Sequence, residues 1–193
     1  MRTIYIDEAQ VEAIRASLSR DAWLALWIAA ETGLRVGDIV SLKKSQIGAH
    51  AINFRAQKTG KEGSAHISAE LRRAILASFS PSEWVFPMKK DPTRHTTRQA
   101  IWARVKSACK RAGIDPEGIG PHSFRKHFAV ELFKRSGLKA TQTALQHDRA
   151  VTTELYALSD FSTGSNANRP ILRRDLPFLV EIISAALRSR VDK

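Results

Sequence analysis

The sequence contains a single cysteine, Cys109, among its 193 residues. One cysteine cannot form a disulfide within the chain or build a cysteine-based zinc site, so a reducing compartment suits this protein. Long apolar segments are missing as well: the first residues carry no hydrophobic signal core, and no stretch is long enough to span a bilayer. We therefore expect a cytoplasmic protein that has no membrane partner.

Histidines with the spacing of metal ligands are also missing. His50, His66, His95 and His127 show none of the paired arrangements that are typical of zinc sites. We predict that the protein works without a metal and without a cofactor.

Acidic residues are scarce relative to basic residues, 19 against 31, and the formal net charge is +12. Phosphates that are neutralised by Lys or Arg release condensed counterions, so this charge favours nucleic acid, ahead of an anionic membrane surface, as the partner. The plainer alternative is that the charge only keeps the chain soluble. Its distribution argues against this, because eight basic residues and one acid lie between positions 89 and 111. We predict a DNA-facing strip there, and the candidate DNA contacts are Lys61, Lys89, Lys90, Arg94, Arg98 and Arg104.

The first third of the chain has helical spacing of apolar residues. Asp7 is placed to cap a first helix, and Asp21 is placed to open a second, mostly apolar helix that ends at Gly33. Trp23 and Trp27 lie at helical spacing in the second helix, and we interpret them as core residues rather than as base-stacking platforms.

The stretch 47–68 changes to an alternating pattern that is interrupted by a turn. This pattern predicts a small antiparallel sheet with Lys58 near its hairpin. Ser68 then caps a short helix, a loop punctuated by prolines follows, and Thr93 caps a long basic helix that ends at Gly113.

Pro121 begins the next helix, which Gly137 closes. Shorter helices carry His147 and Tyr156, and an amphipathic helix ends the chain. These elements predict a single α+β domain over residues 1–193, mainly α-helical with a small antiparallel β-sheet.

Five short stretches combine residues that chance rarely brings together. They read TGLRVGD at 32–38, KTGKE at 58–62, PHSFR at 121–125, LQH at 145–147 and TTELY at 152–156. In this order they resemble the catalytic domain of the tyrosine recombinases, the phage-integrase family, and the resemblance runs from about Asp7 to Leu187. It implies an enzyme that acts on double-stranded DNA in a bacterial host cell, in the setting of a phage or mobile element.

The resemblance implies six catalytic residues, which are Arg35, Lys58, His122, Arg125, His147 and Tyr156. Arginine suits phosphodiester cleavage without a metal, because its planar guanidinium stays charged and holds phosphate oxygens. We therefore assign Arg35 and Arg125 to the two non-bridging oxygens. His122 and Arg125 lie three residues apart, on one face of a helix.

Tyr156 is the expected nucleophile, and a 3′-phosphotyrosyl link would store the energy of the broken bond for rejoining without ATP. Tyr5 is the only other tyrosine. His122 is expected to take or orient the tyrosine proton, and His147 to donate a hydrogen bond to the phosphate. Asp38 is expected to brace an arginine or the tyrosine side of the network as an acceptor.

The leaving 5′ oxygen needs a proton, and a lysine on a hairpin can deliver it. Lys58 and the neighbouring Lys61 both meet this physical requirement. The resemblance favours Lys58.

Two features depart from the family pattern. The usual Leu-Gly-His-Ser is Leu145-Gln146-His147-Asp148 here, so a flexible glycine is replaced and a carboxylate lies beside the histidine. The helical DNA-clamping domain that normally precedes the catalytic domain is absent from this sequence. This indicates either a fragment of an integrase or a naturally short enzyme similar to the fimbrial-switch invertases.

The resemblance further implies strand exchange through a Holliday junction within a tetramer, with the final helix packed on a neighbouring protomer or within its own chain. A type IB topoisomerase shares the chemistry but relaxes supercoils, and a catalytically silent DNA-binding module is a rival from another class. The sequence around Tyr156 resembles the recombinases, and the complete set of six residues argues against a silent module.

Binding to double-stranded DNA is expected to weaken steeply as salt is added, because the phosphate contacts release counterions. Titration of a labelled duplex at increasing KCl concentrations measures the slope. An affinity for DNA that stays constant across the KCl series would contradict the prediction of a DNA-facing strip.

Overall fold

The computed structural model describes residues 3–145 of the chain. Its first helix, α1 (Glu8–Ala16), begins with a capping box: the Asp7 side chain accepts from the Gln10 amide at 2.9 Å, and the Gln10 side chain accepts from the Asp7 amide at 3.1 Å. Both buried residues of α1, Val11 and Ile14, face the core. The predicted cap at Asp7 is confirmed.

The second helix, α2 (Arg20–Thr32), is the centre of the fold and packs against the helices that follow it. Ser19 is its N-cap, so the helix begins slightly earlier than the predicted start at Asp21. It ends as predicted at Gly33, which has φ of 69°, a left-handed conformation that glycine adopts without a steric penalty. Trp23 and Trp27 stack on each other and pack against the core, as predicted.

A short helix, α3 (Val36–Val40), follows and is succeeded by a 3-10 turn at Lys44–Gln46. The predicted hairpin is present: β1 (Ala51–Arg55) pairs antiparallel with β2 (Glu62–His66), and Lys58 lies in the turn between them. Phe54 and Ile52 of β1 point into the core. One face of this small sheet is therefore buried and the other is exposed.

The prediction for the proline-rich loop and for the cap at Thr93 is wrong. A second small antiparallel sheet occupies this stretch, in which β3 (Pro87–Met88) pairs with β4 (Asp91–His95). Thr93 lies within β4, and its amide donates to the Asp91 carboxylate at 3.1 Å, so it does not begin a helix. The prolines in these short strands hide the extended pattern in the sequence, because proline usually marks a loop or the end of a strand.

The basic helix, α5 (Arg98–Arg111), begins after Thr97, whose side chain accepts from the Ala100 amide at 3.1 Å. Thr93 and Thr97 both satisfy the local preference for an N-cap. The pairing of β4 decides between them, because it places Thr93 within a strand. Before the second sheet, α4 (Ala69–Leu76) begins at its predicted cap, Ser68.

The long helix α6 (Pro121–Leu145) begins at Pro121 as predicted. Gly137 interrupts it with φ of 73° and ψ of −176°, and helical turns resume beyond this break. Phe124 of α6 is fully buried beside α2. The predicted helices that carry His147 and Tyr156, and the final amphipathic helix, lie outside the described residues.

Within residues 3–145, none of the helices combines the length and the hydropathy that crossing a bilayer requires.

Replacing Gly33 with alanine is expected to lower the free energy of unfolding by about 2–5 kcal/mol, from a left-handed backbone and an overpacked core. A Cβ at this position would lie 2.5 Å from the Phe128 ring and 2.8 Å from the Leu145 side chain. Gly113 is the matched control, because it has the same φ of 69° but nothing within 4 Å of a Cβ. In urea unfolding, the Gly113→Ala variant should lose only about 1–2 kcal/mol of unfolding free energy, from the left-handed backbone alone. Equal losses in the two variants would contradict the packing argument.

Candidate active site

A cleft of about 370 Å³ lies where the start of α3, the β1–β2 turn, the start of α5 and the start of α6 meet. Four of the six candidate catalytic residues line it. They are Arg35, Lys58, His122 and Arg125, accompanied by Asp38 and Arg98. Segments that are up to 90 residues apart in the sequence thus place four cations and one carboxylate around a single cavity.

Arg35 is the N-cap of α3 and follows the left-handed turn at Gly33 by two residues. Its backbone is extended, with φ of −73° and ψ of 143°, so its side chain leaves the chain between two helices. Among residues 3–145 no hydrogen bond holds its partly exposed guanidinium. Arg35 is therefore available to bind an anion in the cleft.

Arg125 lies at the floor of the cleft and is 3% exposed. Its Nη1 donates to the Gly33 carbonyl, and its Nη2 donates to the Leu145 carbonyl at 2.8 Å. The guanidinium is thus fixed between the end of α2 and the last described turn of α6. These two contacts fix the orientation of the guanidinium.

Asp38 is 5% exposed, and its Oδ1 accepts from the Gln57 backbone amide at 2.9 Å. The structure shows this carboxylate bracing the turn that carries Lys58. Its expected role as an acceptor for an arginine or for the tyrosine side of the network stays a prediction. In the described part of the chain its Oδ2 has no hydrogen-bond partner although it is buried. A buried, unpaired carboxylate oxygen is costly, which makes it a strong acceptor for a donor that enters the cleft.

Gln57 is a site residue that the sequence did not indicate. Its side chain donates to the Ser41 hydroxyl at 2.7 Å, so the β1–β2 turn is tied to the end of α3 by this bond as well as by Asp38. No local signal marks a glutamine whose partner lies 16 residues away in the sequence.

His122 lies at the mouth of the cleft, one helical turn before Arg125. Desolvation by the surrounding protein, followed by the positive charges of Arg125, Lys126 and Arg35, lowers the pKa of His122 to about 4. The imidazole is therefore neutral at pH 7 in the DNA-free protein. A neutral ring can accept a proton, and a phosphate in the cleft would raise its pKa by opposing the cations.

The two candidate lysines of the hairpin are placed differently. Lys58 lines the cleft, and Lys61 is exposed on the same turn, where its carbonyl accepts from the Ala56 amide at 2.8 Å. Lys58 is the one of these two lysines that lines the cleft, and its role as the general acid stays a prediction.

The predicted basic strip is divided between several parts of the surface. Lys89 and Lys90 form the turn between β3 and β4, Arg94 is exposed on β4, and Arg98 lines the cleft. The role of these residues in DNA binding stays a prediction.

Arg104 lies on another side of α5 from Arg98 and pairs with Asp21, with 2.7 Å between Nη1 and Oδ2. Although burial opposes ionisation of Asp21, a hydrogen bond from Ser19 and the charge of Arg104 lower the pKa of this carboxyl. Arg104 thus already has an acidic partner, which sets it apart from the cations of the cleft.

Tyr5 is 5% exposed and stacks on His127, with 6.1 Å between the ring centroids. His147 and Tyr156 lie outside the described residues. Across residues 3–145, no cluster of three or more histidine, cysteine, aspartate or glutamate side chains could hold a metal ion.

The family model for the phage integrase family matches residues 5–163, which is most of the chain and includes the whole cleft. The chain belongs to this family. A curated relative, tyrosine recombinase XerD of Xanthomonas axonopodis pv. citri (strain 306), is 32% identical over 177 residues, covering 79% of this chain and 57% of the relative. A second XerD, from Vibrio cholerae, is 32% identical over 171 residues, covering 78% of this chain and 55% of the relative. The chain thus spans about half the length of the curated relatives that it matches.

A solved structure with the same fold is a lambda integrase tetramer bound to a Holliday junction. Its TM-score is 0.69 at 18% identity, over 88% of this chain and 50% of that chain. The predicted fold class is confirmed, because the structural neighbours are tyrosine recombinases and the elements are mainly helices with small antiparallel sheets.

NMR titration of the DNA-free protein is expected to place the midpoint of His122 near pH 4, below the ordinary value of 6.5. The unfolded chain binds this proton at the ordinary value, so the folded state loses stability as pH falls from 6.5 toward 4. Arg35→Gln should raise the midpoint by removing one facing cation. Arg94→Gln, which removes a charge outside the cleft, should leave it unchanged, and a wild-type midpoint at 6.5 or above would contradict the assigned environment.

Proposed function

We propose that this protein is a site-specific DNA recombinase that cleaves and rejoins double-stranded DNA through a covalent 3′-phosphotyrosyl intermediate. The observation that carries the proposal is the cleft, in which four cations and a neutral imidazole from four separate segments surround a space of about 370 Å³. Such an arrangement suits a phosphodiester, whose charge increases as a nucleophile attacks.

The proposed reaction begins with attack of the Tyr156 hydroxyl oxygen on the phosphorus. The bond from phosphorus to the 5′ oxygen breaks as the bond to tyrosine forms, leaving a 3′-phosphotyrosyl ester and a 5′ hydroxyl. His122 accepts the tyrosine proton, which its neutral state allows at pH 7. Lys58 donates a proton to the 5′ oxygen, and attack by a 5′ hydroxyl reverses these steps.

Arg35 and Arg125 stabilise the charge on the non-bridging oxygens. Arg125 is preorganised by its two backbone acceptors, so little reorganisation is needed when the phosphate gains charge. Arg35 lies at the start of α3, and within residues 3–145 no hydrogen bond fixes its guanidinium, so it can close on the substrate. Asp38 keeps the Lys58 turn in place, and His147 completes the set as a donor to the phosphate.

The structure also bears on the choice of nucleophile. Tyr5 is buried against α6 and does not line the cleft, so its hydroxyl has no access to a bound phosphate there. Because the chain has only two tyrosines, this supports Tyr156.

The partners follow from the same proposal. A protein of the same fold binds a Holliday junction as a tetramer, and we propose that this chain acts on double-stranded DNA as a tetramer, with its final helix exchanged between protomers. We further propose a single catalytic domain over 1–193, acting in the cytoplasm of a bacterial host. The curated relatives named XerD favour a chromosomal recombinase, and the phage or mobile-element source stays a prediction.

Treatment of genomic DNA with wild type, Tyr156→Phe and Tyr5→Phe in EDTA, followed by detergent and sequencing of protein-linked DNA, tests the nucleophile. Wild type and Tyr5→Phe are expected to form adducts at one recurrent site, and Tyr156→Phe to form none. Adducts scattered over many sequences would favour a topoisomerase. Adducts that depend on Tyr5, or none from any variant, would contradict the proposal as stated for this chain.

Once that site is known, a substrate with sulfur in place of the bridging 5′ oxygen tests the general acid. A thiolate leaves without protonation, so Lys58→Ala should cleave the oxygen substrate about 10²-fold or more slowly and the sulfur substrate at nearly the wild-type rate. Lys61→Ala is the matched control on the same turn, and any loss of cleavage that it shows as a candidate DNA contact should be equal for the two substrates. If the sulfur substrate instead restored cleavage by the Lys61→Ala variant, Lys61 would be the general acid.

A further inference from the structure

The tip of the β1–β2 hairpin, residues 57–60, is attached to the wall of the cleft at one position. Among the residues that the structure describes, only Gln57 of this tip forms hydrogen bonds with α3 and its C-cap. Its backbone amide donates to Asp38 Oδ1 at 2.9 Å, and its side-chain Nε2 donates to the Ser41 hydroxyl at 2.7 Å. Asp38 lies within α3 and Ser41 is the C-cap, so Gln57 holds the tip at two points along this helix.

The other hydrogen bonds of the tip close it on itself. The Gly60 amide donates to the Ala56 carbonyl at 2.7 Å, and the Arg55 side chain donates to the Gly60 carbonyl at 3.0 Å. Ala56 is fully buried and anchors the base of the turn. Lys58 is exposed, and within residues 3–145 no hydrogen bond or ion pair fixes its side chain. The position of Lys58 at the cleft therefore depends on the contact that Gln57 makes with α3.

The helix that receives this contact is itself fixed. Ile39 is fully buried and Val40 is 2% exposed, so the core holds α3 in place. The N-cap of α3 is Arg35, which lines the same cleft as Lys58. A hairpin tip that is tied to α3 keeps Lys58 close to the guanidinium that is proposed to bind the phosphate.

We propose that Gln57 is a positioning residue for Lys58: its side-chain bond to Ser41 holds the hairpin tip against α3, so that the Lys58 ammonium faces the leaving 5′ oxygen. This inference rests on the proposed role of Lys58 as the general acid. The carboxamide of Gln57 supplies no proton at neutral pH, so Gln57 acts through Lys58.

The expected size of the effect follows from the surroundings of the bond. Gln57 is exposed, so water competes for its side chain, and its backbone bond to Asp38 does not need that side chain. A single hydrogen bond of this kind shifts an equilibrium about 3- to 10-fold. Loss of the side chain should therefore loosen the tip without detaching it.

A double-mutant cycle isolates the bond between the two side chains. Gln57→Ala removes the donor, and Ser41→Ala removes the acceptor. The double variant is expected to be about as impaired as the more impaired single variant, because both remove the same contact. Losses that multiply in the double variant would show that the two side chains act separately and would overturn the proposal.

Two further variants are the controls. Ser41→Thr keeps the hydroxyl and should behave as wild type. Gln46→Ala is the matched glutamine control, because the Gln46 side chain donates to the Asn53 carbonyl of β1 at 3.0 Å and so ties the same hairpin from outside the cleft. It should also behave as wild type.

Hydrogen exchange of the backbone amide at position 57, in the DNA-free protein, is the first readout. Its protection, corrected for intrinsic exchange rates, should fall about 3- to 10-fold in Gln57→Ala and Ser41→Ala. Protection should stay at the wild-type level in Ser41→Thr and Gln46→Ala. Unchanged protection in the two alanine variants, or an equal loss at all amides of the core, would overturn the proposal.

Cleavage of the oxygen and sulfur substrates is the second readout. Gln57→Ala and Ser41→Ala should cleave the oxygen substrate about 3- to 10-fold more slowly and the sulfur substrate at the wild-type rate, because a thiolate leaves without a proton. Equal slowing on both substrates would contradict a role through Lys58. A loss of DNA affinity with an unchanged ratio of the two rates would make Gln57 a DNA contact instead.

Lys58→Ala separates a failure of this inference from a failure of the proposed function. If the sulfur substrate restores cleavage by Lys58→Ala but the two alanine variants show no preference for sulfur, the role of Gln57 alone is wrong. If wild type does not cleave, or if Lys58→Ala is not restored by sulfur, the proposed chemistry fails and the role of Gln57 fails with it. The exchange measurement would still report whether the bond holds the tip to α3.

Discussion

The hydrogen bond from the Arg125 guanidinium to the Gly33 carbonyl is the contact on which the geometry of the cleft depends. Gly33 ends α2 in a left-handed conformation, and its missing side chain leaves room for the Phe128 ring of α6. The chain can then place Arg35 beside Arg125 within two residues. A side chain at position 33 would push α6 away and separate the two arginines.

Like charges collect in the cleft because the rest of the fold supplies the energy to hold them. Lys58 is positioned by a turn that Asp38 and Gln57 tie to α3, and Arg125 is positioned by two backbone carbonyls. Desolvation, together with the same crowding of cations, lowers the pKa of His122 and keeps it neutral. The cations of the cleft repel one another when no anion is bound. A phosphate that enters the cleft relieves this repulsion, and the relief favours binding.

The elements that the sequence predicted well are those with strong local signals. The cap at Asp7, the stop at Gly33 and the hairpin around Lys58 each rest on preferences of a few adjacent residues. The second sheet was missed because its strands are short and carry Pro87 and Pro92, residues that usually end strands. The start of α5 was placed too early for the same reason, since only the pairing of β4 reveals that Thr97 is the cap.

The sequence by itself determined which chemical groups the protein has: two tyrosines, a large excess of basic residues, and the motifs that carry Arg35, Lys58, His122 and Arg125. These follow from composition and short-range order. Only the tertiary structure decided which of the cations share a cavity, because Arg98 and Arg104 of one helix face different neighbours. It also decided that Asp38 supports the Lys58 turn and that Lys126 rests on the Thr3 carbonyl. The reason is physical: these contacts join residues that are from 19 to 123 positions apart, and packing of the core, which no local pattern encodes, brings them within hydrogen-bond distance.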